Sequence, residues 1–367
     1  MLSSADKIID IARGGDLTGV YEKVLANQRL SFADGLALFS SVNLPQIGML
    51  ANIVRERKHT GNVVTFLIGR NINYTNVCWV RCQFCAFYRP PGSDEGYVLS
   101  RDQIFEKIRE LLRLGGTEVF LQGGLNPKLK LDYYIDLFRA VKAEFPVHLH
   151  SLSPAEVLYI SHLSRLSLEE TISRLRAAGL DSIPGAGAEI LIDEVRKEIS
   201  PLRDEASEWL RVMRTAHQLG MPTTATMTFG LSESHEHRLQ HLIKIRELQD
   251  ETGGFTSFTA WNYQPDGAQL DLPRATAFDY LKTQAIARLM LDNVANIQVS
   301  WLTQGAKIGQ VALKFGANDF GSTIFEENVI TAASVTKCIL PIPEIRRLIQ
   351  DAGYEPRQRN TRYEIIG

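Results

Sequence analysis

The sequence predicts an α/β fold, a parallel (βα)8 barrel of TIM type with a helical N-terminal extension and a C-terminal closing segment. Three observations carry the prediction. From Val63 onward, short β-rich apolar runs alternate with stretches of helical periodicity, the pattern of parallel βα units. Eight such runs can be placed, the number that closes a barrel. Polar and Gly-rich residues follow the runs directly, where a parallel barrel carries its chemistry. A six-unit open barrel is the alternative, because the fourth and eighth strands carry the weakest patterns.

Residues 1–60 read as the helical extension. Ile8, Ile9 and Ile11 open it, Ser31 is placed to cap a helix over 32–39, and 46–57 has helical period. Residues 61–322 form the barrel, and 63–68 is its first strand. Ile104, Ile108, Leu111 and Leu112 share a helix face before Glu118–Leu121, the second strand. Residues 133–141 are helical, 147–152 is the third strand and Leu168–Ala178 the next helix. The fourth strand falls either around Ser182 or over 188–191. Trp209, Val212, Met213 and Ala216 mark a helix before Thr223–Phe229, the fifth strand. Helix 237–249 leads to strand 256–263, and helix 277–291 to strand 296–301. A short helix over 309–315 precedes the eighth run, 316–320. Residues 323–367 pack on the barrel and close it with a helix over 342–352.

Composition sets bounds. The chain has 367 residues, 44% of them hydrophobic, enough for one large barrel with an appendage. A formal charge of −2 gives no global attraction to nucleic acid or to an anionic membrane. No apolar run is long enough to span a bilayer, and the N-terminus lacks a hydrophobic export core, so a cytoplasmic location is expected.

Cys78, Cys82 and Cys85 form Cys-x3-Cys-x2-Cys. Three thiolates this close in sequence can hold three irons of a cubane cluster and leave the fourth iron open to a reactant. A structural zinc site completed by a distant His is the other reading, although such sites usually come as paired Cys-x2-Cys knuckles. Cys338 stands far away and reads as a small buried apolar residue. His148 and His150 share a strand face; His150 lies beside Ser151, Ser153 and Glu156, either as an acid–base group or as a hydrogen-bonded filler. His235, His237 and His241 have helical metal-ligand spacing, but Glu236, Arg238 and Lys244 around them read as a solvated face. No phosphate-loop or dinucleotide pattern is present.

The cysteine spacing, with Phe84 just before the third cysteine, resembles the radical S-adenosylmethionine (radical-SAM) superfamily. Further stretches narrow the resemblance to the radical enzymes of the futalosine route to menaquinone: 71–78, 82–89, 121–125, 150–156, 178–185 and 249–255. Residues 261–265, 298–305, 316–323 and 326–329 are similar to the ring-closing branch of that group. Leu231 departs from the pattern, where a His commonly follows the glycine.

The resemblance implies a 4Fe–4S cluster on the three cysteines, with S-adenosylmethionine chelating the open iron. Electron transfer to the sulfonium then yields a 5′-deoxyadenosyl radical. It implies that Phe84 lies along the adenine and that Gln122-Gly123-Gly124 receives the methionine amino group; the glycines alone require no more than a tight turn. In the run from Thr226 to Glu233 the second half matches the end of an adenine-packing motif and the first half departs from it; a strand-to-helix turn capped by Ser232 or Ser234 is the other reading. Glu189 is a candidate for the ribose or methionine end, or else starts a helix. It implies dehypoxanthinyl futalosine as substrate, hydrogen abstraction from the 4′ carbon of its ribose, and attack of the sugar radical on the attached benzoate ring. The alternatives are the sister synthase, which acts on an enolpyruvyl benzoate, and, in a different class, a non-catalytic iron–sulfur scaffold or electron carrier. A low-potential donor such as flavodoxin or ferredoxin is implied. Set against these needs, Asp319, His150 and Glu156 are candidates for the base, Asn73 and Gln304 for ribose hydroxyls, and Trp261 and Trp301 for walls of the benzoate ring or ordinary packing.

Overall fold

The computed structural model describes residues 17–323 and 340–366, together with Asn328, Ala332 and Ala333. The expectations placed at Ile8, Ile9, Ile11 and Cys338, and most of the 326–329 stretch, lie outside the described residues.

The extension holds α1 (Thr18–Leu25), α2 (Phe32–Ser40) and α3 (Leu44–Lys58). Ser31 begins α2 with a reciprocal capping box: its hydroxyl accepts from the Asp34 N–H, and the Asp34 carboxylate accepts from the Ser31 N–H. The extension is tied to α11 (Ala277–Met290), whose Lys282 ammonium donates to the carbonyls of Phe39 at 2.9 Å and Ser41 at 2.7 Å.

The sheet closes on itself. β1 (Val63–Leu67) and β2 (Gly69–Ile72) flank Ile68; β1 pairs with β8 (Asp319–Ser322) and β2 with β3 (Glu118–Leu121). β3 pairs with β4 (His148–Leu149), and β5 (Thr223–Phe229), β6 (Phe255–Asn262), β7 (Asn296–Gln298) and β8 follow side by side. The gap between β4 and β5 is spanned by parallel bridges at His150–Ser182 and Ile183–Thr223, so Ser182 marks the fourth strand position and the ring is complete. Every pairing in it is parallel, as the βα alternation requires.

Strand alternation sorts side chains between wall and lumen. In β5, Ala225, Met227 and Phe229 are fully buried in the hydrophobic core, while Thr224, Thr226 and Thr228 line the lumen. Several loops leaving the strand ends are terminated by capping boxes, at Ser100 before α4 (Arg101–Arg113), Ser153 before α6 (Pro154–Ser164) and Ser234 before α10 (His235–Thr252). The long βα loops at the mouth are therefore anchored at their helix ends.

Four differences from the sequence reading matter here. The eighth strand lies at Asp319–Ser322 rather than at 316–320, and Trp301 begins a short helix instead of ending a strand. Helix α6 was not marked by the periodicity. The closing segment supplies the expected helix, Ile342–Asp351, and also a ninth strand, β9 (Glu355–Arg359), which runs parallel to β1 from Val63–Glu355 to Leu67–Arg359. Its sequence, Glu-Pro-Arg-Gln-Arg, has no apolar alternation, so nothing local announces a strand.

Candidate active site

The cysteine loop leaves the end of β2 and folds back over the mouth. The Cys78 N–H donates to the Arg89 carbonyl at 2.9 Å, and the Arg89 N–H to the Asn76 carbonyl at 2.8 Å. Gly124, just past β3, lets the loop settle: a Cβ there would stand 2.4 Å from the Val77 carbonyl oxygen and 2.8 Å from Cys78 Cβ. The Ser200 hydroxyl lies 3.1 Å from Cys82 Sγ, and Arg203 Nη1 is 3.9 Å from the same sulfur. Desolvation raises the Cys82 thiol and pushes Cys85 up to about 12, with Cys82 and Cys78 adding to the rise at Cys85. Such poorly solvated thiols become thiolates when metal replaces their protons.

Among the described residues no three His, Cys, Asp or Glu side chains converge as they would on a single metal ion. A cubane gives each thiolate its own iron and so sets its ligands further apart; three soft sulfur donors fit that group.

The loop overhangs a lumen cavity of about 350 Å³, of the size that encloses a small molecule. Phe84, Cys85, Gln122, Glu189 and Trp261 line its mouth side, His150, Thr226, Thr259 and Gln298 its walls, and Glu118, Arg359, Thr361 and Tyr363 its base. Glu118 begins β3 and Gln122 follows its end, so at the rise of a strand the base lies roughly 13 Å below the mouth.

A model of the radical SAM superfamily matches residues 72–245, and one described as the CofH/MqnC C-terminal region matches 252–367. The cyclic dehypoxanthine futalosine synthase of Halalkalibacterium halodurans is 46% identical over 352 residues, covering 95% of both chains. The chain belongs to the radical-SAM superfamily. An aminodeoxyfutalosine synthase of Thermus thermophilus is 41% identical, over 95% of this chain and 96% of its own. The crystal structure of methylornithine synthase superposes with a TM-score of 0.72 at 20% identity, over 91% of this chain and 96% of that one, and so shares the fold.

In this radical-SAM enzyme Phe84, Cys85, Gln122, His150, Glu189, Thr226 and Trp261 all meet the one cavity. Glu189 sits at φ 38° and accepts from Arg203 Nη1 at 3.0 Å. Against the cost of burial, Glu189 and Cys82 hold Arg203 firmly charged, so one cation links the cavity wall to the cysteine loop. His150 Nδ1 lies 2.6 Å from the Ser182 hydroxyl, which is also 2.7 Å from His148 Nε2. Burial, with smaller contributions from His148 and Arg359, lowers His150 to about 3, so the ring is neutral and only a weak base.

Other candidates are placed elsewhere. Asp319 is fully buried and does not line the cavity; it accepts from Thr65 Oγ1, from the Gly321 N–H at 2.9 Å and from Arg359 through two nitrogens. Its acceptor sites are taken, which corrects its assignment as a base. Glu156 is likewise turned away from the cavity. It accepts from Tyr74 Oη at 2.7 Å, the Gly123 N–H at 3.0 Å and the Ser153 N–H and hydroxyl, each at 2.7 Å. It therefore positions the glycine pair. Gly123 and Gly124 stand behind Gln122, where Gly123 approaches Tyr74 and Gly124 the cysteine loop. Asn73 is buried beside the cavity, its amide donating to the Gln122 carbonyl at 3.3 Å and its oxygen accepting from the Asn328 N–H at 3.1 Å. Trp301 donates to the Ser322 carbonyl at 3.0 Å and packs outside the lining, and Gln304 is outside it too. His235 stacks on Phe39, His237 serves the Ser234 capping box and His241 accepts from the Leu191 N–H, so the three do not meet.

Sequence reasoning missed the base of the cavity. Glu118 carried a readable signal, an acid opening an otherwise apolar strand. Arg359, Thr361 and Tyr363 carried none, because their place depends on the pairing of β9 with β1.

Proposed function

We propose that the protein is a radical-SAM cyclase that converts dehypoxanthine futalosine to its cyclic spiro product in menaquinone biosynthesis. The observation that carries the reading is one lumen cavity that opens beside a three-cysteine loop. The choice of branch rests on the higher identity to the cyclic dehypoxanthine futalosine synthase than to the aminodeoxyfutalosine synthase.

Cys78, Cys82 and Cys85 would hold a 4Fe–4S cluster. When bound, the cluster and S-adenosylmethionine supply a 5′-deoxyadenosyl radical, able to take hydrogen from an unactivated carbon. The chain's own part is holding, orienting and excluding. Phe84, Gln122, Glu189 and Thr226 offer the cosubstrate an aromatic face and polar groups beside the cysteine loop. The substrate carries a ribose at one end and an aryl carboxylate at the other. The lumen walls hold it with the ribose toward the mouth, a positioning task that also keeps out water. Trp261 faces the aryl ring. The ring radical regains aromaticity by losing one proton and one electron; neutral His150, backed by Ser182, takes the proton, and the electron would pass to the cluster held by the three cysteines. A low-potential flavodoxin or ferredoxin supplies the electron.

Reduced, reconstituted protein is given S-adenosylmethionine with either dehypoxanthine futalosine or the enolpyruvyl benzoate, and products are resolved by mass. The expected result is 5′-deoxyadenosine with a cyclised product from the first substrate only. An adenosylated adduct from the second overturns the reading in favour of the sister activity.

A further inference from the structure

The base of the cavity meets a polar group that the chemistry above does not use. Glu118 faces the lumen from the first position of β3, and the C-terminal strand and tail bring Arg359, Thr361 and Tyr363 to the same place. This floor is at the opposite end from the cysteine loop. Whatever reacts at the mouth, the floor meets the far end of the substrate.

The floor offers donors. Arg359 gives Nε and one hydrogen of Nη2 to Asp319, and one hydrogen of Nη1 to the Asn360 carbonyl at 3.0 Å. A guanidinium has five N–H groups, so one remains on each terminal nitrogen. The Tyr363 ring covers one face of the guanidinium, with its centroid 3.8 Å from Cζ, and fixes the plane. The Thr361 hydroxyl is buried and faces the Glu118 carboxyl without completing a hydrogen bond of ordinary geometry. Two planar N–H donors match a carboxylate, and the Thr361 hydroxyl beside them can turn to it. The charge of Arg359 is already balanced by Asp319. An ionised Glu118 would repel an incoming anion, whereas its acid form would be a further donor.

We propose that this floor binds the aryl carboxylate of the substrate, with Arg359 and Thr361 donating from one side and Glu118, in its acid form, from the other. The inference rests on the proposed function and names the end of the substrate that the function leaves unassigned. Desolvation raises the Glu118 carboxyl, opposed by Arg359 and Thr361 and assisted by Asp319. The titratable and charged groups packed around it are Arg70 on β2, His148 and His150 at β4, Asp319 on β8, and Arg359 with Tyr363 from the C-terminal strand and tail. Burial keeps both histidines neutral above pH 6 and raises the Tyr363 phenol. Glu118 is left as the donor that is lost as pH rises.

Calorimetric binding of dehypoxanthine futalosine to the full-length protein between pH 6 and 9 tests this, beside the analogue whose aryl carboxylate is a primary amide. The acid is expected to bind at least tenfold tighter than the amide, and its affinity to fall as pH rises. Glu118→Gln should remove that pH dependence. Equal affinity for acid and amide overturns the inference and leaves the proposed function standing; so does an unchanged pH dependence in Glu118→Gln. Binding of neither compound overturns both. If Glu118→Gln does not fold, the acid–amide comparison and its pH course in the unaltered protein decide alone.

Discussion

At the scale of single residues, the structure ties the cysteine loop to backbone that only glycine allows. Gly124→Ala places a methyl against the Val77 carbonyl and Cys78 Cβ, contacts that backbone cannot yield cheaply. Iron bound per chain after anaerobic reconstitution should fall by half or more, while the far-ultraviolet circular dichroism stays unchanged. Full iron loading in that variant would show that the loop does not depend on the close approach. Glu156→Gln should retain iron but weaken S-adenosylmethionine binding several-fold, because the Gly123 N–H loses its carboxylate partner; titration of the cosubstrate checks it. The cysteines were legible because their chemistry demands a fixed local spacing. Asp319 was misjudged for the opposite reason. An acid at a strand end looks the same in sequence whether it faces a substrate or an arginine forty positions away, and the Arg359 partner of Asp319 is at that distance.

Among elements, β9 is the piece that sequence patterns did not reveal and on which the floor depends. It carries Arg359 alongside Leu67 and into contact with Asp319, both charges being almost wholly buried. Removing one partner of such a pair strands the other, at a cost of about 3–5 kcal/mol. Arg359→Met should therefore lower unfolding stability by about that amount, measured by denaturant melts, and the double variant with Asp319→Asn should recover more than half. Equal losses in single and double variants would mean that the ion pair is not what holds β9. The remaining barrel strands were legible because their apolar alternation is a local consequence of burial on one face, as in β5. The fourth strand, reduced to bridges at Ser182 and Ile183, is held by its neighbours and so leaves little local pattern.

At the scale of the whole molecule, buried histidines link stability to pH. Burial lowers His148 to about 4, His150 to about 3, His217 to about 4 and His241 to about 3. In the unfolded chain each takes a proton near pH 6.5. The unfolded state therefore binds more protons between pH 6.5 and about 4, and the folded state loses stability as pH falls through that window. The loss is about 1 kcal/mol per histidine at pH 5.5, so the melting temperature should drop by several degrees between pH 7 and 5.5. A flat melting curve over that range would contradict neutral burial of these rings.

The closed ring of parallel strands gathers the cysteine loop, His150 on the wall and the floor of Glu118 and Arg359 around one lumen. The claim this makes is that hydrogen leaves the substrate ribose inside that lumen and arrives on the adenosyl carbon. Substrate carrying deuterium at the ribose 4′ position, turned over anaerobically by the reconstituted protein, tests it most directly. Mass analysis should find one deuterium in the 5′-deoxyadenosine formed, together with a cyclised product that has lost it. Unlabelled 5′-deoxyadenosine beside a cyclised product that keeps its deuterium would contradict the account.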